Sequence, residues 1–206
     1  MILKICGITN QDDASAAIEA GATALGFNFY ARSPRYIAPE QAAEIVTADG
    51  VRRVGVFVNE KRELVEAIVR AARLDVAQLH GDETSGDYPA AAPVWKAIRI
   101  GPPDFGFAQL RQHDLDPSEA LLLDGPASGV PFHWSVWSVA KDLLPIQRPH
   151  HIILAGGLDA SNVGKAIDQV HPWGVDVCSR IESAPGKKDH TKMKEFLHAA
   201  MAAAHA

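Results

Sequence analysis

A chain of 206 residues that is 47% hydrophobic and 22% charged, with a formal net charge of -5, has the composition of an ordinary globular enzyme. At that length it buries roughly 70% of its unfolded surface and needs neither disulfide nor metal as a staple. The mild acidity argues against a nucleic-acid interface, no apolar run approaches the ~20 residues of a membrane span, and two cysteines make no disulfide framework, so a cytoplasmic protein without a leader is the expectation.

Taken in order, strand-like runs of aliphatic and β-branched residues fall at Ile2–Cys6, Ala22–Phe29, Arg53–Val58 and Asp75–His80, then at Val94–Arg99, Ala120–Asp124, His151–Ala155 and Gly174–Cys178. Helical patterns alternate with them at Asn10–Ala20, Pro39–Thr47, Glu60–Ala72 and Asp82–Ala90, then at Phe105–Gln112, His133–Asp142, Asp159–Val170 and His190–Ala203. Thr9 and Asn10 precede an acidic first turn, Pro39 suits a first helical position, and Gly21 follows the first helix as a C-terminal glycine does. Strand and helix alternating eight times predict a parallel α/β sheet, either closed as a (β/α)8 TIM barrel or open and doubly wound. The count of eight and the lack of a Gly-x-Gly-x-x-Gly turn after the first strand favour the barrel, as one domain over residues 1–206.

In a barrel the chemistry sits at the carboxyl ends of the strands. Strand alternation puts Cys6 on the inward face at the end of the first strand, either as a base activated by nearby positive charge or as an inert buried thiol. Lys4, one layer below, reads as a structural ion-pair partner. Arg35, in Ser33-Pro34-Arg35-Tyr36, is a candidate clamp for a carboxylate or a solvated loop arginine. His80 closes the fourth strand, where it orients a substrate, tunes a neighbour or caps the following helix. Asp124 follows three leucines, a desolvated place where an acid holds a proton near neutrality; the alternative is a turn cap before Gly125-Pro126. Together Cys6 and Asp124 make a base–acid pair across one pocket. Gly156-Gly157 after strand seven and Ser179-Arg180 after strand eight occupy the two loops that usually grip phosphate. Asp176 shares a face with Cys178, as a structural or a substrate-binding group. The nine histidines show no ligand spacing, and no metal is expected.

KICGIT (Lys4–Thr9), GFNFY with SPRYI (Gly26–Tyr30, Ser33–Ile37), VGVFVNE (Val54–Glu60), QLHGDE (Gln78–Glu83), LLLD (Leu121–Asp124), AGGL (Ala155–Leu158) and PGKKDH (Pro185–His190) together resemble the phosphoribosylanthranilate isomerases of tryptophan biosynthesis. The resemblance runs in family order from residue 3 to about 190. It implies a (β/α)8 barrel and an Amadori rearrangement of N-(5-phosphoribosyl)anthranilate to 1-(2-carboxyphenylamino)-1-deoxyribulose 5-phosphate. It assigns Cys6 as the base that takes the ribose C2 proton, and Asp124 as the acid that protonates the ring oxygen. Arg35 then holds the anthranilate carboxylate, and Gly156, Gly157, Ser179 and Arg180 the phosphate; His80 and Asp176, read from their strand-end positions alone, are the further substrate-binding candidates. No cofactor is implied, the partner is a small phosphosugar, and a monomer or homodimer is expected.

The chain departs from the family pattern in three places. The loop Gly125–Gly129 is shorter than usual and leads to Phe132-His133-Trp134 rather than Phe-Asp-Trp, which leaves the acid wetter. Arg180 stands where glycine is usual. Cys178 replaces a serine beside Cys6, and the two thiols are candidates for a disulfide that would remove the base. Two other classes fit a phosphosugar barrel: an epimerase or lyase, for which Lys96 is the one lysine well placed at a strand end, and a non-catalytic phosphoribosyl-binding protein.

Overall fold

The computed structural model describes residues 1–100, 117–125, 134 and 151–204. Eight parallel strands close in sequence order: β1 Ile2–Cys6, β2 Ala24–Asn28, β3 Arg52–Phe57, β4 Val76–Leu79, β5 Val94–Arg99, β6 Ala120–Asp124, β7 His151–Leu154 and β8 Gly174–Val177. The barrel alternative therefore holds over the open sheet. The seam is the β1–β8 pairing, which sets Lys4 opposite Asp176 and Ile5 opposite Val177. Alternation sends Ala24, Val54, Val76, Trp95, Leu122 and Ile153 into the barrel, while the other face of each strand joins the larger core beneath the helices.

The lower mouth, at the strand N-termini, is shut by rings. Trp173 stacks on His151 with centroids 4.3 Å apart, meets Trp95 edge-on at 5.8 Å, and carries the Arg52 guanidinium 5.5 Å above it. Glu119 accepts from Arg52 at 3.2 Å and from Trp95 Nε1 at 2.8 Å.

Helices α1 Gln11–Glu19, α2 Pro39–Glu44, α3 Arg62–Ala71, α4 Val163–Val170 and α5 His190–Ala204 surround the strands. Asn10 caps α1 by accepting from the Asp13 N–H at 2.8 Å, and Asp189 caps α5 through the N–H groups of Thr191 and Lys192. α2 stops three residues earlier than its pattern predicts. The buried Arg53 takes the carbonyls of Ala42 and Ile45, which a longer helix would need. α4 begins at Val163 rather than Asp159, because in the turn before it Asn162 accepts from the Asp159 N–H and donates to the Gly157 carbonyl.

The helix predicted over Asp82–Ala90 is absent; only a 3-10 turn forms at Ser85–Asp87. Glu83 turns inward there to accept from Asn59 N–H, Gly81 N–H and Lys96 Nζ, and Pro89 supplies no N–H to continue a helix. After β8, the sequence pattern gave no sign of a small antiparallel hairpin, β9 Glu182–Ala184 with β10 Lys187–Lys188. The helices predicted at Phe105–Gln112 and His133–Asp142, and the loop departure at residues 126–129, lie outside the described residues.

Candidate active site

The upper mouth opens into a cavity of about 770 Å³. All nine residues singled out from the sequence line it: Cys6, Arg35, His80, Asp124, Gly156, Gly157, Asp176, Ser179 and Arg180. They come from five strand ends and the β2–α2 loop, so their convergence is a property of the closed barrel and not of any local stretch.

Cys6 ends β1 on the floor of the cavity, 8% exposed. A hydrogen bond from Cys178 holds its thiol well below the ordinary range; burial opposes this, and the ammonium groups of Lys4 and Lys188 add to it. Cys178 is pushed well above the ordinary range by the same hydrogen bond and by burial. Both thiols are free, and the surroundings favour the anion at Cys6 over that at Cys178. Lys4 is wholly buried and donates to Asp176 Oδ1 at 2.8 Å. Burial disfavours its charge, but Asp176 and Cys6 outweigh that and keep Lys4 above its usual range. Asp176 is pushed up to about 7 by burial, with Lys4 opposing. Asp176 thus borders the cavity with one oxygen already committed to Lys4.

Asp124 stands across the cavity at the end of β6. Its Oδ1 accepts from the Gly125 N–H at 2.8 Å, and its Oδ2 lies 3.1 Å from His80 Nε2. His80 Nδ1 is in turn 3.2 Å from the Gln78 amide nitrogen. The ring thus bridges the Gln78 amide and Asp124, and its tautomer sets which of the two it donates to. His80 therefore tunes a neighbour in addition to facing the cavity. Gly156 has φ +79, and a Cβ there would lie 3.0 Å from Asp124 Oδ1 and closer still to Gly125, so only glycine lets the β7 loop approach the acid. Gly157 is also left-handed, at φ +65, and the two glycines face Ser179 and Arg180 in the last loop.

Among the cavity residues to which the sequence reading gave no role are Asn28, Gln78 as the partner of His80, and Arg99, the register neighbour of Asp124 on β5. Arg99 alternates with the inward-facing Trp95 and Ala97, a signal that was legible. Lys96 lies on the opposite face of that strand, wholly buried, where it donates to Glu83 at 2.8 Å and to the Gly81 carbonyl at 2.6 Å. It does not line the cavity. Arg35 lines it, with Nε and Nη2 donating to Glu182 at 2.8 and 2.6 Å. Among the described residues, no group of three or more His, Cys, Asp or Glu side chains is placed to hold a metal, and no helix is long and apolar enough to cross a membrane.

Comparison with known proteins gives one consistent answer. A family profile described as N-(5'-phosphoribosyl)anthranilate (PRA) isomerase matches residues 3–199. The N-(5'-phosphoribosyl)anthranilate isomerase of Solibacter usitatus (strain Ellin6076) is 62% identical over 206 residues, covering 98% of each chain. That of Trichlorobacter lovleyi is 44% identical over 95% of each. Among solved structures, phosphoribosyl anthranilate isomerase from Thermotoga maritima matches with a TM-score of 0.85 at 38% identity, covering 98% of this chain and 100% of that one. A phosphoribosyl anthranilate isomerase in complex with reduced 1-(o-carboxyphenylamino)-1-deoxyribulose 5-phosphate matches with a TM-score of 0.84, also at 38% identity and with the same coverage.

Proposed function

The chain belongs to the N-(5'-phosphoribosyl)anthranilate isomerase family, and from that premise we propose how its residues carry the reaction. It is an isomerase that converts N-(5-phosphoribosyl)anthranilate to 1-(2-carboxyphenylamino)-1-deoxyribulose 5-phosphate by an acid–base Amadori rearrangement in tryptophan biosynthesis. Asp124 gives a proton to the ring oxygen as the furanose opens, and Cys6, as thiolate, removes the proton from C2. Gly156, Gly157, Ser179 and Arg180 bind the phosphate, and Arg35 the anthranilate carboxylate. His80 and Asp176 face the sugar and set the charge around the acid and the base, respectively.

The observation that carries this reading is the opposition of two differently supported groups across one cavity. Cys6 has Lys4 and a thiol donor beside it, so its anion is stabilised; Asp124 is held through both oxygens at the facing wall. An alternative epimerase or lyase using Lys96 is disfavoured, because that ammonium is buried in an ion pair with Glu83 and is turned away from the cavity. The Thermotoga maritima relative is described as dimeric, and a monomer or homodimer is the assembly proposed here. One domain over residues 1–206 and a cytoplasmic location complete the reading.

The test follows the fluorescence of phosphoribosylanthranilate, generated in situ, with wild type and Cys6→Ala side by side. The variant is expected to lose kcat by ~10²–10⁴-fold, the worth of a positioned base. Decay at the wild-type rate in Cys6→Ala would remove Cys6 from the mechanism.

A further inference from the structure

Lys188 of the PGKK stretch and the glutamate before it have no part in the acid–base steps, yet both side chains are buried beside Arg35. Arg35 donates Nε–H to Glu182 Oε1 at 2.8 Å and Nη2–H to Oε2 at 2.6 Å. Lys188, whose side chain is fully buried, donates to the same Oε1 at 3.0 Å, and the Gly186 N–H does so at 3.3 Å. The hairpin that carries these groups is pinned from outside. Lys188 N–H donates to Asp13 Oδ2 at 2.9 Å, and the Thr9 hydroxyl donates to the Gly186 carbonyl at 2.6 Å.

A guanidinium has two bidentate edges, a side edge of Nε and Nη2 and an end edge of Nη1 and Nη2. Glu182 occupies the side edge. The end edge is committed to no described residue, and Arg35 borders the cavity whereas Glu182 does not. Gly7 completes the arrangement: at φ +75, a Cβ there would lie 2.8 Å from Arg35 Cδ, so the arginine stem crosses the end of β1 only over a glycine.

We propose that Glu182, anchored by Lys188, is a positioning residue that fixes the plane of Arg35 and presents its end edge to the substrate's aryl carboxylate. The inference rests on Arg35 binding that carboxylate. It means the substrate does not displace Glu182 but joins it on a second edge of the same guanidinium. The orientation is paid in advance by the fold, so less rotamer freedom is lost on binding.

The experiment compares affinities for reduced 1-(o-carboxyphenylamino)-1-deoxyribulose 5-phosphate and for the same reduced sugar phosphate bearing a plain anilino group. Wild type is expected to prefer the carboxylate by roughly 10- to 100-fold, as for a charge-assisted bidentate contact. Glu182→Gln is expected to cut that preference by about fivefold or more while leaving the anilino compound's affinity unchanged. An unchanged preference, or equal weakening of both compounds, overturns the proposal. Arg35→Ala separates the two levels of the argument. If it keeps the preference, the Arg35 role itself fails; if it loses the preference while Glu182→Gln does not, only the role of Glu182 fails. In wild type, the Arg35 Nε–H NMR signal should stay slowly exchanging when the carboxylate compound binds. A shift to the free-arginine position means that the substrate has displaced Glu182, and also overturns the proposal.

Discussion

At the lower mouth of the barrel, Trp95 and Trp173 meet edge to face, His151 stacks on Trp173, Arg52 lies over Trp173 and Glu119 accepts from the Trp95 indole, the two charged side chains still 37% and 31% exposed. At the upper mouth the same strands bury Lys4 and Asp176 as a pair, set the Cys6 sulfur beside them, and fix an arginine between a glutamate and an open cavity. The lower arrangement removes large apolar areas from water and leaves its ions solvated, which costs little. The upper one takes ions out of water, which apolar packing of the same volume would often surpass in stability. The difference teaches where this fold keeps its stability and where it spends it: the closed end supports the reactive end, and the two are separated by the inner layers of the barrel.

Three changes test that division. The largest effect is expected from Trp95→Ala at the closed end, where a fully buried indole is removed. Denaturant unfolding should show a loss of about 3–5 kcal/mol, while kcat per folded molecule changes by less than about twofold, since no cavity residue is touched. A matching fall in kcat would join the two ends into one unit.

Acid should act on the other end. Glu182 and Asp13 are held below the ordinary carboxylate range, because hydrogen bonds and cationic neighbours outweigh the burial that would raise them. A lowered folded value means the unfolded chain binds the proton more tightly. Their contribution is therefore fully present above about pH 4, the ordinary carboxylate value, and is lost as the pH falls through and below it. Asp176, raised to about 7, has the opposite sign, so its contribution grows as the pH falls from about 7 toward about 4. Unfolding free energies measured across this range should be flat or rising down to about pH 4 and should fall below it. Glu182→Gln should blunt the acid limb, and an unaltered limb would take Glu182 out of the linkage. The smallest effect is expected from Arg52→Ala, a loss of less than about 1 kcal/mol in the same unfolding assay, because its pair with Glu119 is partly in water. A larger loss would mean that the guanidinium over Trp173 is part of the closure itself.

Much of this was legible in the sequence, and the exceptions share a cause. β5 and β6 fall on their predicted bounds, since each is a short aliphatic run that stops at a charged residue. Cys6 and Asp124 were findable because strand alternation and a strand-end position are both local properties. The helix expected after β4 failed because Glu83 is claimed by Lys96, a partner that no window around residue 83 contains. The β9–β10 hairpin is too short for any period to register. The pairing of Arg35 with Glu182 joins residues 147 apart, so neither side chain advertises the other. Where local propensity and tertiary demand agreed, the chain could be read; where a buried charge had to find its partner across the barrel, it could not.

The β1–β8 seam has a consequence for how the protein is born. Lys4 and Asp176 are separated by 172 residues, so at ribosomal rates of about 5–20 residues per second β1 waits on the order of ten to thirty seconds for its second neighbour. Throughout that interval Lys4 has no counter-ion and Cys6 lacks the thiol that stabilises its anion. Until the barrel closes, Cys6 therefore lacks groups that hold its thiol low, and the closure that completes the fold also brings them to it.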